Sequence, residues 1–96
     1  MQLNKITIIG KLADNPERTN SGVNFPIQTQ FSRKDDNELQ THDVRTSGKL
    51  ADIIEKYVKK NSKLYVEGRL QYAGNVKNKT TWIEAEQIIM LGHKQK

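Results

Sequence analysis

The 96-residue chain contains no cysteine. Disulfides and thiolate metal sites are therefore excluded, and a reducing compartment is compatible with the chain. Its only histidines are His42 and His93, which cannot make a His-rich metal constellation. No apolar run approaches the ~18 residues that a membrane-spanning helix needs, so no membrane partner is expected. Met1–Lys5 leads straight into a strand pattern, without the apolar segment and cleavage site of a secretory leader. No period of about 20–50 residues recurs, which excludes a solenoid. There is no phosphate-cradling glycine loop, no nucleophile elbow and no Ser/His/Asp arrangement with supporting context. Asp35 and Asp36 form a carboxylate pair, but further oxygen ligands are not evident, so no metal is expected there. Neither an enzyme nor a cofactor-bearing protein is expected.

What the chain does have is positive charge and pattern. Lys and Arg number 16 against 11 Asp and Glu, a formal net charge of +5, and the sequence pI is about 9.6. A basic domain attracts polyanions, nucleic acid being the commonest soluble one. A single lysine reads as a solvated surface charge. A set of them on strands and loops reads as a binding surface. Hydrophobic residues make up only 34% of the chain, yet they fall in patterned runs, so the chain reads as folded. Its length fits one domain, assigned to residues 1–92, with 93–96 as a short polar tail.

The first strand pattern is Lys5–Leu12, rich in β-branched residues, with Ile6 and Ile8 on one face. Gly10 interrupts it and suggests a bulge or sharp bend. Residues 13–22 read as a loop. A second strand follows over Val23–Phe31, where Phe25 and Ile27 alternate with polar neighbours. Pro26 implies an edge or a bulge at that point. Residues 32–39 read as a polar loop, and Gln40–Ser47 as a third strand with Val44 its one aliphatic residue. Leu50, Ile53, Ile54, Tyr57 and Val58 recur at one-face helical spacing and predict a helix over 49–60. Lys56, Lys59 and Lys60 would face its dipole, with Asn61 as a left-handed cap. Strands over Lys63–Leu70 and Thr80–Leu91 flank a turn-rich segment at 73–79. The order β-β-β-α-β-β predicts an all-β barrel with one helix, the five-stranded Greek-key OB-fold.

Several of these stretches resemble the single-stranded DNA-binding (SSB) family. They are Asn4–Leu12, Asn15–Arg18 with Asn20–Gly22, Asn24–Thr29, Gly48–Ala51, Tyr57–Ser62, Tyr65–Leu70, Thr80–Thr81 and Met90–Gly92. They run in order and at similar spacing over nearly the whole chain. The resemblance implies an oligomeric OB-fold, commonly a tetramer with a dimer as the other form expected here. Such a protein coats single strands in replication, recombination or repair without sequence readout, and is not an enzyme. It implies single-stranded DNA as partner, with RNA the alternative, and a cytoplasmic, nucleoid-associated location, with an organelle the alternative. Many members end in a long tail with an acidic tip that recruits replication and repair proteins. This chain ends at His93–Lys96, so recruitment by that route is not expected.

Binding a single strand needs cations along the phosphate track and aromatic faces on which bases stack. The cations read as contacts are Lys5, Lys11, Arg18, Lys49, Lys60 and Arg69 at positions that match the family pattern. Arg33 and Lys34 join them from the loop after the second strand, Arg45 from the third strand, and Lys77 and Lys79 from the last turn. The positions where the family usually stacks bases hold Arg33 or nearby polar residues, Thr41, Ser47 and Asn75, none of them aromatic. The family's Trp-His-Arg pattern is Thr41-His42-Asp43. Binding is therefore expected to be weaker and more salt-dependent than the family norm. Tyr72 and Trp82 are the best stacking candidates, a subunit interface being their alternative. Phe31 is core or stacking. Phe25 and Tyr57 are expected in the core. Tyr65 suits an intersubunit contact or nucleic acid, and His42 an intersubunit or core hydrogen bond. Ile6, Ile8, His42 and Tyr65 are assigned to an oligomer interface. The competing function is an OB-fold protein-interaction or primosome-type assembly subunit with little affinity for single strands.

Overall fold

The structure, a computed structural model, describes residues 3–33 and 36–91, and for residues 31–37 it describes no side chains. The elements are β1 (Ile6–Leu12), β2 (Glu17–Arg18), β3 (Val23–Arg33), β4 (Asp36–Thr46), α1 (Gly48–Tyr57), β5 (Lys63–Gly74) and β6 (Lys79–Leu91). Hydrogen-bonded neighbours run β1-β5-β6-β4-β3, and β3 returns to β1. That return closes five strands into a barrel, so the expected OB architecture is what the chain adopts. Closure needs one parallel contact, β4 with β6, at Val44↔Ile83 and Arg45↔Glu84.

The seam lies at the bend anticipated from Gly10. β1 pairs with β5 from Ile6 to Lys11 and with β3 at Lys11↔Gln28 and Leu12↔Ile27. A side chain at Gly10 would overlap the Gln28 carbonyl oxygen. Only glycine lets β1 and β3 approach there. Pro26 sits inside β3 opposite Asp43, with β4 pairing on either side of it. The Ala13 N–H donates to its carbonyl at 2.9 Å, so its missing N–H falls on the side of β1 and β2. There it occupies the gap between the β2 register at Asn24 and the β1 register at Ile27. β3 is thus no edge strand, and the proline costs no ladder bond.

Leu12, Val23, Phe25, Ile27, Val44, Leu64, Val66, Ile83 and Ala85 point into the barrel, and α1 adds Ala51 and Ile54, with Val58 just beyond its end. Buried Thr46 donates its hydroxyl to the Val23 carbonyl at 2.7 Å. No described buried side-chain N or O lacks a partner, as a core this small requires.

Several expectations are corrected. The loop over 13–22 contains β2, which pairs with the start of β3. The loop over 32–39 is mostly hairpin, with the register continuing to Arg33↔Asp36. The fourth strand likewise runs on to Gly74, paired with Lys79. The β5–β6 arm beyond Gly68 buries none of its side chains up to Trp82, so no apolar alternation marks it in the sequence. The helix ends at Tyr57, not at residue 60. The Asn61 N–H donates to Leu12 O at 3.0 Å and the Leu12 N–H to Ser62 O at 2.9 Å. These bonds tie the chain to β1 in place of further helical turns. Asn61 is left-handed, φ 76°, but in this turn rather than at the helix end. Tyr57 is also not core: it is 61% exposed. The buried stripe is Ala51–Ile54–Val58, which leaves Ile53 and Tyr57 on its shoulder.

Candidate nucleic-acid interface

The outer face of β3 and β4, with the β5–β6 hairpin at its side, carries the unburied chemistry. Asn24, Arg45 and Glu84 lie in one register row, and Pro26 and Asp43 in the next. Arg45 is held by Asp43, whose Oδ2 accepts from Nε at 3.3 Å and from Nη2 at 3.2 Å. Its guanidinium lies 4.1 Å from the centroid of the Trp82 ring, and Trp82 Nε1 donates to Glu84 Oε1 at 3.3 Å. Ring and cation are thereby held as one flat, partly exposed platform. Such a platform stacks a base on a face that any base possesses, while the guanidinium attracts its phosphate.

The hairpin repeats the motif. Tyr72 is 61% exposed, with the Lys79 ammonium 5.0 Å from its ring centroid. Asn75 Oδ1 accepts from the Lys77 N–H at 3.0 Å and the Asn78 N–H at 2.9 Å, which orders the turn that displays Lys77.

Several of the other expected cations are paired within the chain. Arg18 donates to Glu55 at 2.7 Å and to Asp52 at 2.8 Å, pinning β2 to α1. Those bonds, Glu55 first, raise its pKa above the ordinary value. Arg69 pairs with Glu86 at 3.0 Å. Lys5 pairs with Glu67 at 2.8 Å, and Glu67 also accepts from the Tyr65 hydroxyl at 3.1 Å. Lys11, Lys49, Lys60, Lys77 and Lys79 have no ion-pair partner among the described residues. Lys34 lies outside the described residues, as do Asp35, the tail 93–96 and the side chains of Phe31 and Arg33.

The Lys5–Glu67 pair carries a pH signature. The hydrogen bond from Lys5 lowers the Glu67 pKa from 4.5, so its stabilisation is present above that value and lost as pH falls through the lower folded value. The same pair raises the Lys5 pKa from 10.5, so that contribution is full below 10.5 and lost as pH rises through the higher folded value. Glu67→Gln is expected to make thermal stability less sensitive to pH below 4.5, read by melting curves across that range. The effect is small because both groups are solvated.

Of the residues assigned to an oligomer interface, Ile6 and Ile8 are half-buried against the core. With His42, Leu70 and Trp82 they line a groove of about 360 Å³. The hydrogen bond of His42 is internal, between Nε2 and Thr29 Oγ1 at 3.0 Å. Tyr65 lies on the opposite, outer face. There Ile9 and Ile89 flank it in register, 54% and 45% exposed. The sequence reading missed those two isoleucines, because each sits beside an inward neighbour in a run of apolar residues. It also missed the Asp43–Arg45–Trp82 unit. The Asp43 and Arg45 spacing of two along a strand places both on one face and could have revealed half of it.

A closed five-stranded barrel with a helix between its third and fourth barrel strands, displaying ring–cation platforms on its open face, is an OB-type binding barrel. Residues 3–91 match the model of the single-strand binding protein family. The chain is 40% identical to single-stranded DNA-binding protein 1 of Chlorobaculum tepidum, over 96% of this chain and 67% of the relative. It is 33% identical to the single-stranded DNA-binding protein of Xanthomonas campestris, over 94% and 61%, and 32% identical to that of Neisseria meningitidis, over 96% and 62%. It therefore spans about two thirds or less of the length of these relatives. A Plasmodium falciparum SSB solved in complex with ssDNA shares the fold, with a TM-score of 0.80 at 24% identity over 96% of this chain and 97% of that one. This chain belongs to the single-strand binding protein family.

Proposed function

We propose that the protein binds single-stranded DNA without reading its sequence, during replication, recombination or repair, and that it acts by binding and not by catalysis. The observation that carries the reading is the Trp82–Arg45 platform on the outer face of the barrel, with Tyr72 and Lys79 repeating it on the adjoining hairpin. Family membership supports the choice of single strands over other polyanions. A cytoplasmic site of action, or an organellar one, suits a cysteine-free chain. Self-association is part of the proposal. Ile9, Tyr65 and Ile89 make an apolar strip across β1, β5 and β6 that a second copy could cover. Replication and repair proteins remain further partners of this reading.

The test is a titration with fluorescent oligo-dT at low and moderate salt, following Trp82 quenching, alongside a native mass measurement. Micromolar or tighter binding with a steep salt dependence supports the reading. No binding at low salt leaves the alternative, an assembly subunit that kept the barrel. The polar residues Thr41 and Ser47 and the acidic Asp43, at positions where the family resemblance implies stacked bases or a cation, favour that second reading.

A further inference from the structure

We propose that Asp43 sets the protein's affinity for single strands, because its carboxylate occupies the place on Arg45 that a strand phosphate takes on binding. This rests on the function proposed above and adds what limits it. Asp43 and Arg45 stand two apart on β4, so both side chains leave from its outer face. One carboxylate oxygen, Oδ2, accepts from Arg45 Nε at 3.3 Å and from Nη2 at 3.2 Å. These bonds are longer than the ~2.7–2.9 Å of a good charge-assisted pair, and they share one oxygen where a bidentate anion presents two. Asp43 is the only carboxylate paired with Arg45 among the described residues. Glu84 stands opposite Arg45 in the parallel register, yet its Oε1 accepts from the Trp82 indole N–H at 3.3 Å.

The guanidinium is thus well placed and poorly held. It lies 4.1 Å from the Trp82 ring centroid, beside the face where a base would stack, but Asp43 and Glu84 give this cluster more negative than positive charge. On one side the platform opens to a groove of about 420 Å³ lined by Asn24, Arg45, Ser47, Trp82 and Glu84, with amide and hydroxyl donors beside the cation. On the other, Asp43 shares a groove of about 440 Å³ with Asp14 and Glu17. A phosphate is repelled from the second groove and accommodated in the first. Arg45 therefore exchanges carboxylate for phosphate toward the first groove, with its plane still on the ring. The exchange has an ionic signature. A phosphate neutralised by a free cation sheds its condensed counterion. Here the released Asp43 carboxylate recruits a cation in turn, so Arg45 adds nothing to the salt dependence of binding.

The test is a double-mutant cycle of Asp43→Asn and Arg45→Gln, read as the log–log salt slope of oligo-dT titrations, with Asp52→Asn as an equal charge change on the helix. Both residues of the pair are partly exposed, so the variants should fold. Asp43→Asn should steepen the slope by about 0.7, the value for one phosphate of a single strand, and raise affinity at low salt on the order of fivefold, the upper end for an exposed ion pair. Arg45→Gln should leave the wild-type slope unchanged but abolish the gain that Asp43→Asn brings. Asp52→Asn should match wild type, since Glu55 still holds Arg18. Pyrophosphate gives a readout without the strand. It should perturb the fluorescence of Trp82, the only tryptophan, at lower concentration in Asp43→Asn than in wild type or the double variant. An unchanged slope or a weakened affinity in Asp43→Asn overturns the proposal. So does a steepened slope that persists with Arg45→Gln, which would mean plain repulsion of the strand by Asp43. A wild type and an Asp43→Asn variant that both bind no oligo-dT defeat the functional reading instead. Pyrophosphate then decides alone: a response in Asp43→Asn that Arg45→Gln abolishes upholds the exchange, and equal responses overturn it.

Discussion

Trp82→Ala is expected to weaken oligo-dT binding about 5- to 150-fold, the range that corresponds to ~1–3 kcal/mol for one base–aromatic stack. The change removes the ring and also the surface against which Arg45 is flattened, so the missing stack and the loosened cation act in the same direction. Folding should survive. Trp82 is only partly buried, and the core residues of β6 are its out-of-phase neighbours Ile83 and Ala85. The measurement pairs an oligo-dT titration, by anisotropy of a labelled strand, with a melting curve and a native mass. A variant that unfolds or dissociates would show Trp82 to be a structural or interface residue. Arg45→Lys is a milder companion. It keeps the charge and loses the planar fork that stacks on the ring and binds Asp43, so its affinity should fall between those of wild type and Trp82→Ala.

Phe25→Ala is expected to cost about 3–5 kcal/mol, the usual penalty for removing a buried aromatic ring. Phe25 is 1% exposed and stands on β3 opposite Val44. β3 is the strand that both closes the barrel onto β1 and forms the β4 hairpin, so a cavity there loosens two seams. A domain of this size has a stability of roughly 5–14 kcal/mol in total, and the melting temperature should drop by about 12 °C or more. Tyr57→Ala is the contrast. Tyr57 looks like a core residue by helical spacing but is exposed, so its removal should cost about 0.5 kcal/mol or less. Equal losses in denaturant titrations of the two variants would mean that the helix packs by a different face.

The barrel was readable because its inner face is written in period-two alternation. Phe25 and Ile27, Leu64 and Val66, and Ile83 and Ala85 each mark a strand and its inward side, and Gly10 marks the bend. The candidate site was only partly readable. Trp82 stood out by being out of phase with Ile83, and Lys79 by lying in the turn region. That Arg45 covers the ring could not be seen, since the two are far apart in the chain and meet through the parallel β4–β6 contact. Nor could the sequence show which cations are free. Arg18 reads as a contact until the helix brings Asp52 and Glu55 to it.

By itself, the order and spacing of residues determined the strand-and-helix sequence, the inward faces, the bend at Gly10 and the basic balance. These are local properties, set by side-chain periodicity and backbone freedom within a few positions. Tertiary structure alone decided which strands meet, how far the two hairpins extend beyond the core, and which cations and rings remain available. Charge pairing and stacking act through space between segments far apart in the chain, and the exposed β5–β6 arm carries no apolar pattern to announce it.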